Sequence, residues 1–249
     1  MGAKPLYVLL GISIPKGYSD YANTFLNAFI HACKEKNIII IGGDTTGFKG
    51  PLVISVSVIG VMDENKLKKR STARPGDKIG VVGWLGYAML GFEALENNWM
   101  SDAIFIDRFL MPQALIEEGE WLGLQKAVTS MMDISDGLYT SLKELTDSSQ
   151  VGVDIFLETL DPNPSFISAC KTLKKDPLHT MLKGGEDYAL LCTVSNEAFL
   201  FLQKEFQEKF NAPFKAIGVV TQGIHPISMT FYKKGKIKKL DIKAFDHFC

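Results

Sequence analysis

The stretch Met131-Met132-Asp133-Ile134-Ser135-Asp136-Gly137-Leu138 constrains this chain more than any other. An apolar run ends on an acid, a serine and a second acid follow, and beyond Gly137 an amphipathic run continues to Leu145. That order reads as a strand running out into the start of a helix. If the turn is helical, Asp133 and Asp136, three residues apart, present their carboxylates on one side. Two carboxylates about 4 Å apart repel by roughly 4 kcal/mol at an effective dielectric near 20, a cost that a divalent cation removes. The competing reading is helix capping, with Ser135 or Asp136 as the N-cap and Asp133 at the surface. The octapeptide leaves both readings open.

The surrounding pattern is mixed. Leu6 to Ile14 is a nearly continuous apolar run closed by Pro15, and reads as a buried strand. Tyr21, Phe25, Ala28, Phe29 and Ala32 recur at helical spacing, with Ser19 or Asp20 as the cap and Asn37 as the end. Ile38 to Ile41 reads as a strand buried on both faces, and Leu52 to Met62 as another strand. Residues 63 to 77 are polar, basic and proline-bearing, a loop or domain junction. Beyond it the patterns predict strands at 78–84, 151–157, 188–194, 214–220 and 228–232, and helices at 87–95, 112–124, 166–173 and 197–210. The fold class expected is therefore mixed α/β (α+β), split near residue 70 into domains 1–70 and 71–249.

Composition narrows the function classes. The 249 residues suffice for one large domain or two smaller ones, and 46% apolar with 22% charged residues is ordinary for a soluble globular chain. A net charge of −1 gives no general nucleic-acid or anionic-membrane surface. The longest apolar stretch, Pro51 to Met62, is too short to span a bilayer. None of the four cysteines forms a CxxC pair, and Cys33 and Cys192 lie in apolar runs as reduced core residues would, which favours the cytoplasm.

Three Gly/Asp islands adjoin strands: Gly42-Gly43-Asp44-Thr45-Thr46, Asp133 to Gly137, and Gly184-Gly185-Glu186-Asp187-Tyr188. Each alone is equally a tight turn with local hydrogen bonds. Three such loops at strand ends favour a shared cation-dependent site, because carboxylates, a hard cation and a basic loop are what phosphoryl transfer requires. The basic loop is at hand in Lys66, Lys68, Lys69, Arg70 and Arg74, although such a run is also an ordinary solvated surface. No GxxxxGK[ST], GxSxG or HExxH is present, and Gly80-x-x-Gly83-x-x-Gly86 has the wrong spacing for a dinucleotide loop and reads as close strand–helix packing.

Taken together, the islands resemble those of the thiamine-monophosphate kinases, within the aminoimidazole-ribonucleotide-synthetase-like superfamily. The resemblance is carried in order by Met1 to Pro5, Ile41 to Thr46, Leu67 to Asp77 with Arg70-Ser71 and Pro75-Gly76-Asp77, Gly83-Trp84-Leu85-Gly86, Asp133 to Leu138, Gly184 to Tyr188, and Phe245-Asp246-His247-Phe248. It implies a two-domain architecture with mixed sheets, residues 1–70 being the remainder of an ATP-binding and dimerisation domain. It implies Mg²⁺ on Asp44, Asp133 and Asp136, and ATP on Gly43, Asp44, Arg70 and Ser135. Glu186 and Phe245 would contact thiamine monophosphate. The reaction implied moves the γ-phosphoryl of ATP onto the substrate phosphate, with no protein nucleophile, in a homodimer where the N-terminal domain is complete.

The chain departs from the family in two places. It starts after the position of the family's Gly-Asp-Asp-type and Thr-Asp motifs, so the N-terminal domain is expected to be incomplete. The family's Pro-x-Pro-Arg segment reads Pro112-Gln113-Ala114-Leu115. The polypeptide alone is accordingly expected to show little or no kinase activity. The alternatives are a catalytically inactive remnant that binds thiamine phosphate or nucleotide, and a related ATPase with another substrate.

Overall fold

The computed structural model describes residues 2–99, 103–223 and 229–245. Ser228 of the expected strand at 228–232 and Asp246-His247-Phe248 of the resemblance lie outside the described residues, as do Met1, Asp102, His225 and Cys249. The chain divides into two compact units, one spanning Ala3–Asn65 and the other Met1–Gly2 with Lys66–Cys249.

The N-terminal unit consists of β1 (Lys4–Pro15), α1 (Ser19–Glu35), β2 (Ile39–Phe48) and β3 (Val53–Val61). β1 is the central strand, parallel to β2 and antiparallel to β3. Val8, Leu10 and Ile12 are buried while Tyr7 and Leu9 are exposed, so β1 follows the period-two rule rather than being buried on both faces. The isoleucine run also differs from expectation. Ile39, Ile40 and Ile41 are 60%, 38% and 50% exposed: β2 is an edge strand of a three-stranded sheet, and its ladder with β1 together with β-branching keeps the run extended. α1 begins at Ser19, and its cap position is Tyr18, with no side-chain cap bond, rather than Ser19 or Asp20. It ends as expected at Asn37, whose φ is 55°.

β2 does not stop at the glycines. Val8 pairs with Ile40 and Leu9 with Gly42, so Ile41 is the extra residue of a bulge, and the strand continues through Asp44 and Thr46. A Cβ on Gly43 would stand 1.9 Å from the Leu10 carbonyl oxygen. Glycine is therefore required there by backbone-to-backbone approach within the sheet.

The C-terminal unit runs β4 (Lys78–Val82), α2 (Tyr87–Glu96), α3 (Ala103–Leu110), α4 (Ile116–Leu124), β5 (Val128–Ile134), α5 (Leu138–Ser149) and β6 (Gly152–Phe156). It continues with α6 (Pro164–Thr172), α7 (Pro177–Lys183), β7 (Ala189–Val194), α8 (Phe199–Lys209), β8 (Phe214–Thr221), β9 (Met229–Lys233) and β10 (Lys236–Ile237). α4 starts at Ile116 rather than Pro112, and α3 and α7 are additional to the helices expected. α7 is short but well begun: Asp176 accepts the His179 N–H at 2.7 Å, and Pro177 occupies the first turn.

The strands form one mixed sheet in the order β10-β9-β6-β8-β4-β7-β5. All its pairs are antiparallel except β6 with β9. One core cluster joins Leu90 of α2, Leu138, Leu142 and Leu145 of α5, Phe166 of α6 and Leu182 of α7. A second joins Leu122 of α4 to Phe199, Leu202 and Phe206 of α8. Gly80 serves the second: a Cβ there would meet the Phe214 ring at 2.5 Å, the close packing expected of the Gly80/Gly83/Gly86 series.

Candidate active site

Three neighbouring strands, β4, β7 and β5, assemble the candidate site. β7 is antiparallel to both others, with Val82 of β4 opposite Leu190 and Ile134 of β5 opposite Ala189. The exits of β4 and β5 therefore lie at the entrance of β7. Three segments far apart in sequence meet at that end: 83–86, 134–137 and 184–188.

Glycines let the segments touch. A Cβ on Gly185 would stand 2.5 Å from the Ser135 carbonyl oxygen, and one on Gly184 would stand 2.6 Å from the Thr180 carbonyl oxygen and 3.0 Å from the Gly86 Cα. One on Gly137, whose φ is +90°, would stand 2.7 Å from the Lys183 carbonyl oxygen. With this contact surface, the Glu186 N–H donates to the Ser135 carbonyl at 2.7 Å.

The turn after β5 is not helical. Asp133 is a residue of β5, Asp136 lies beyond its end, and the residue before α5 is Gly137, which makes no side-chain cap bond. Neither Ser135 nor Asp136 caps α5, so the capping reading of this stretch does not hold. Asp133 is exposed, and Ser135 and Asp136 are half-buried.

The Glu186-Asp187-Tyr188 turn carries two non-glycine residues at positive φ, 67° at Glu186 and 50° at Tyr188. Such conformations are uncommon and cluster at functional sites. Asp187 fastens the turn. Its carboxylate accepts the N–H groups of Gly86 and Ala88 (2.8 Å for Ala88), and that of Tyr87. It thereby satisfies the first turn of α2, where Gly86 itself offers no side chain. Burial pushes the Asp187 carboxyl up to about 7, against the pull of these donors and of Arg108.

Tyr188 senses the acids around it. Its hydroxyl donates to Glu186 Oε2 at 2.8 Å. That hydrogen bond, burial, and the charges of Glu186, Asp133 and Asp136 push the phenol up to about 12. The expected metal and substrate acids of this unit thus act on one hydroxyl. Phe245 reaches the same segment: its N–H donates to Thr140 Oγ1 in the first turn of α5 at 3.0 Å. Arg70 lies further along α5, with Nη1 2.7 Å from Glu144 Oε2 and its carbonyl accepting from Ser149 Oγ. Its neighbour Lys68 is buried and donates to the Gln125 carbonyl, so the basic run is not uniformly solvated.

Gly43 and Asp44 belong to the N-terminal unit, on β2, where Asp44 is exposed and paired in register with Gly11. Among the described residues, no group of three or more His, Cys, Asp or Glu side chains is placed to hold a metal ion. Clefts of about 50 and 180 Å³ occur in the C-terminal unit, but Asp133, Ser135, Asp136 and Glu186 line neither. His179 is on α7, and His31 on α1 faces Glu35 at 3.4 Å. Asp187 and Tyr188 were not singled out from the sequence. The available signal was their adjacency to Glu186.

Residues 74–228 match the family model "AIR synthase related protein, C-terminal domain", and residues 1–62 match its N-terminal counterpart. The whole chain aligns at 31% identity with the thiamine-monophosphate kinase of Haemophilus influenzae, covering 75% of that protein. The chain belongs to the thiamine-monophosphate kinase family. The family member of Bacillus subtilis is 28% identical over the whole chain and 76% of its own length. AaThiL complexed with AMPPCP and TMP superposes with a TM-score of 0.81 at 28% identity, over 99% of this chain and 75% of that one. Escherichia coli HypE, at 18% identity, shares the fold with a TM-score of 0.83, over 100% of this chain and 77% of that one. Among the described residues no helix is long and apolar enough to cross a membrane.

Proposed function

We propose that this kinase-family chain transfers the γ-phosphoryl group of ATP to the phosphate of thiamine monophosphate in a Mg²⁺-dependent reaction, giving thiamine diphosphate and ADP. One observation carries the reading. Glu186 and Phe245, assigned to the substrate, both hydrogen-bond to the 133–140 segment that holds Asp133 and Asp136, assigned to the metal. The relatives' name and the complex of AaThiL with AMPPCP and TMP support the substrate pair.

The donor set fits Mg²⁺. Asp133 and Asp136 offer hard carboxylate oxygens in a locally negative field, the field that helps hold Tyr188 protonated. Mg²⁺ takes one or two carboxylates and completes its shell with phosphates and water, so a cage of three protein acids is not required. Asp133 and Asp136 would hold it, and Mg²⁺ would neutralise charge on the phosphates.

An oxygen of the substrate phosphate forms the new bond to the γ-phosphorus as the bond to the bridging oxygen breaks, and ADP leaves with that electron pair. The attacking group is already an anion, so no general base is needed. The work of the chain is orientation and charge balance. Arg70, Ser135 and Gly43 are assigned to the nucleotide, and Glu186 and Phe245 to the thiamine moiety.

The test is formation of thiamine diphosphate by the purified chain from ATP, Mg²⁺ and thiamine monophosphate. Turnover abolished by Asp133→Ala supports the reading and overturns the expectation of little activity in the polypeptide alone. Binding of both substrates without turnover gives the binding-protein reading instead. Binding of neither refutes both.

A homodimer is part of the proposal. Ile54, Val56 and Val58, at a two-residue repeat on one face of β3, are 39%, 46% and 59% exposed, an apolar row that a second copy would cover. A monomeric mass by light scattering at micromolar concentration would remove this part. The buried free thiols of Cys33, Cys170 and Cys192 support a reducing, cytoplasmic setting, checked by cell fractionation.

A further inference from the structure

We propose that Tyr188 is a positioning residue: its hydroxyl fixes the Glu186 carboxylate in the orientation from which that group meets the thiamine moiety. The inference rests on the assignment of Glu186 to the substrate, made above.

Glu186 is exposed, and an exposed glutamate samples many rotamers. A substrate contact made by such a group loses affinity to the ordering it must undergo. The structure supplies the ordering in advance. The Glu186 backbone is fixed by its N–H bond to Ser135, and its side chain by the Tyr188 hydroxyl at 2.8 Å. The phenol donates to an ionised oxygen, the stronger class of hydrogen bond. Its acidity is suppressed to about 12, so it remains a donor throughout the neutral range.

Tyr188 sits where a tyrosine is disfavoured. Its φ of 50° suits glycine or asparagine better, and the residue is 37% exposed, so core packing is not what requires an aromatic there. The strain is held by neighbours on both sides. Asp187 is bonded to the start of α2, and Ala189 enters the ladder opposite Ile134. This backbone turns the residue-186 and residue-188 side chains towards each other although only one residue separates them. In a regular strand they would stand side by side at a two-residue repeat, and in a helix they would diverge.

The test compares the parent chain with Tyr188→Phe, Glu186→Gln and the double variant by calorimetric titration with thiamine monophosphate. Tyr188→Phe removes one oxygen and keeps the ring. It is expected to weaken binding about tenfold, equivalent to ~1.4 kcal/mol, while binding of Mg-ATP is unchanged. The double variant is expected to bind no more weakly than Glu186→Gln, because Tyr188 acts only through Glu186. Parent-like binding by Tyr188→Phe, or additive losses in the double variant, overturns the proposal and leaves the Glu186 assignment standing. Parent-like binding by Glu186→Gln, or no binding by the parent, overturns that assignment and the proposal with it. A second readout needs no substrate: the Tyr188 phenol, followed by NMR of ring-labelled tyrosine, is expected to titrate lower in Glu186→Gln than in the parent. An unchanged titration shows that the bond does not form in solution and overturns the proposal.

Discussion

Gly137→Ala tests the claim that backbone contact between segments builds the site. Gly137 has φ 90° and ψ 156°, a region that is essentially glycine-only and costs other residues about 1–3 kcal/mol. The added methyl would also stand 2.7 Å from the Lys183 carbonyl oxygen, 2.8 Å from its carbon and 3.1 Å from the Leu182 carbonyl oxygen. These are backbone atoms at the end of α7, and the Leu182 side chain is fully buried, so they cannot swing away as a flexible side chain would. Overpacking of this kind adds about 1–3 kcal/mol, for roughly 2–6 kcal/mol in all. Gly76→Ala is the control. Its φ is +94° but a Cβ there meets nothing within 4 Å, so only the conformational cost applies. Urea unfolding of the three proteins reads both quantities. Gly137→Ala is expected to lose about 1–3 kcal/mol more than Gly76→Ala, and to lose thiamine monophosphate binding in the molecules that remain folded. Equal loss in the two variants would refute the contact argument, because it would mean that α7 yields freely to the methyl group.

Two further predictions follow. Asp187 binds a proton in the folded chain that the unfolded chain has already released: its carboxyl is raised from an ordinary 3.8 to about 7. Its contribution to stability is therefore complete below pH 3.8 and lost as pH rises through about 7, with a slope of at most about 1.4 kcal/mol per pH unit. Urea midpoints measured from pH 5 to pH 8 should fall less steeply in Asp187→Asn than in the parent, and identical profiles would show that this carboxyl is ionised throughout. Arg70→Ala separates binding from stability. The Arg70–Glu144 pair is about half exposed on both sides and contributes about 0–1 kcal/mol to folding, so unfolding should barely change. A charge-assisted contact to ATP is worth about 1.5–3 kcal/mol, so the dissociation constant for Mg-ATP should rise about tenfold or more, and an unchanged constant would remove Arg70 from the nucleotide site.

The sequence exposed the pieces of this site more readily than their arrangement. Asp133 and Asp136 stood out because an acid-serine-acid-glycine series between two apolar runs is chemically conspicuous, and the strand and helix on either side were read correctly. The turn between them was not, because a helical cap and an open loop share the same residue types. Ile38 to Ile41 shows a second limit: hydrophobicity reports that a run avoids water, but not what covers it, and in this chain β2 stays exposed. α7 carried legible end signals in Asp176 and Pro177, yet seven residues are too few for a helical period to emerge.

Asp187 marks where local reading stops. Beside Glu186 it looked like one more acid of a surface turn, because its partners at the start of α2 lie about a hundred residues away. What brings them together is the strand order β4-β7-β5 with β7 antiparallel to both neighbours. That arrangement sets the exits of two strands against the entrance of a third. The close approach then demands glycine at 86, 137, 184 and 185, where a side chain would strike backbone. The glycines at 86, 137, 184 and 185 therefore have a structural cause independent of any ligand, as does Asp187, while the acids at 133, 136 and 186 do not. Turn geometry would be satisfied by asparagine or serine at 133, 136 and 186. Carboxylates at those three positions place negative charge around one tyrosine hydroxyl, an arrangement that turn geometry does not require and that the proposed cation-dependent phosphoryl transfer would use.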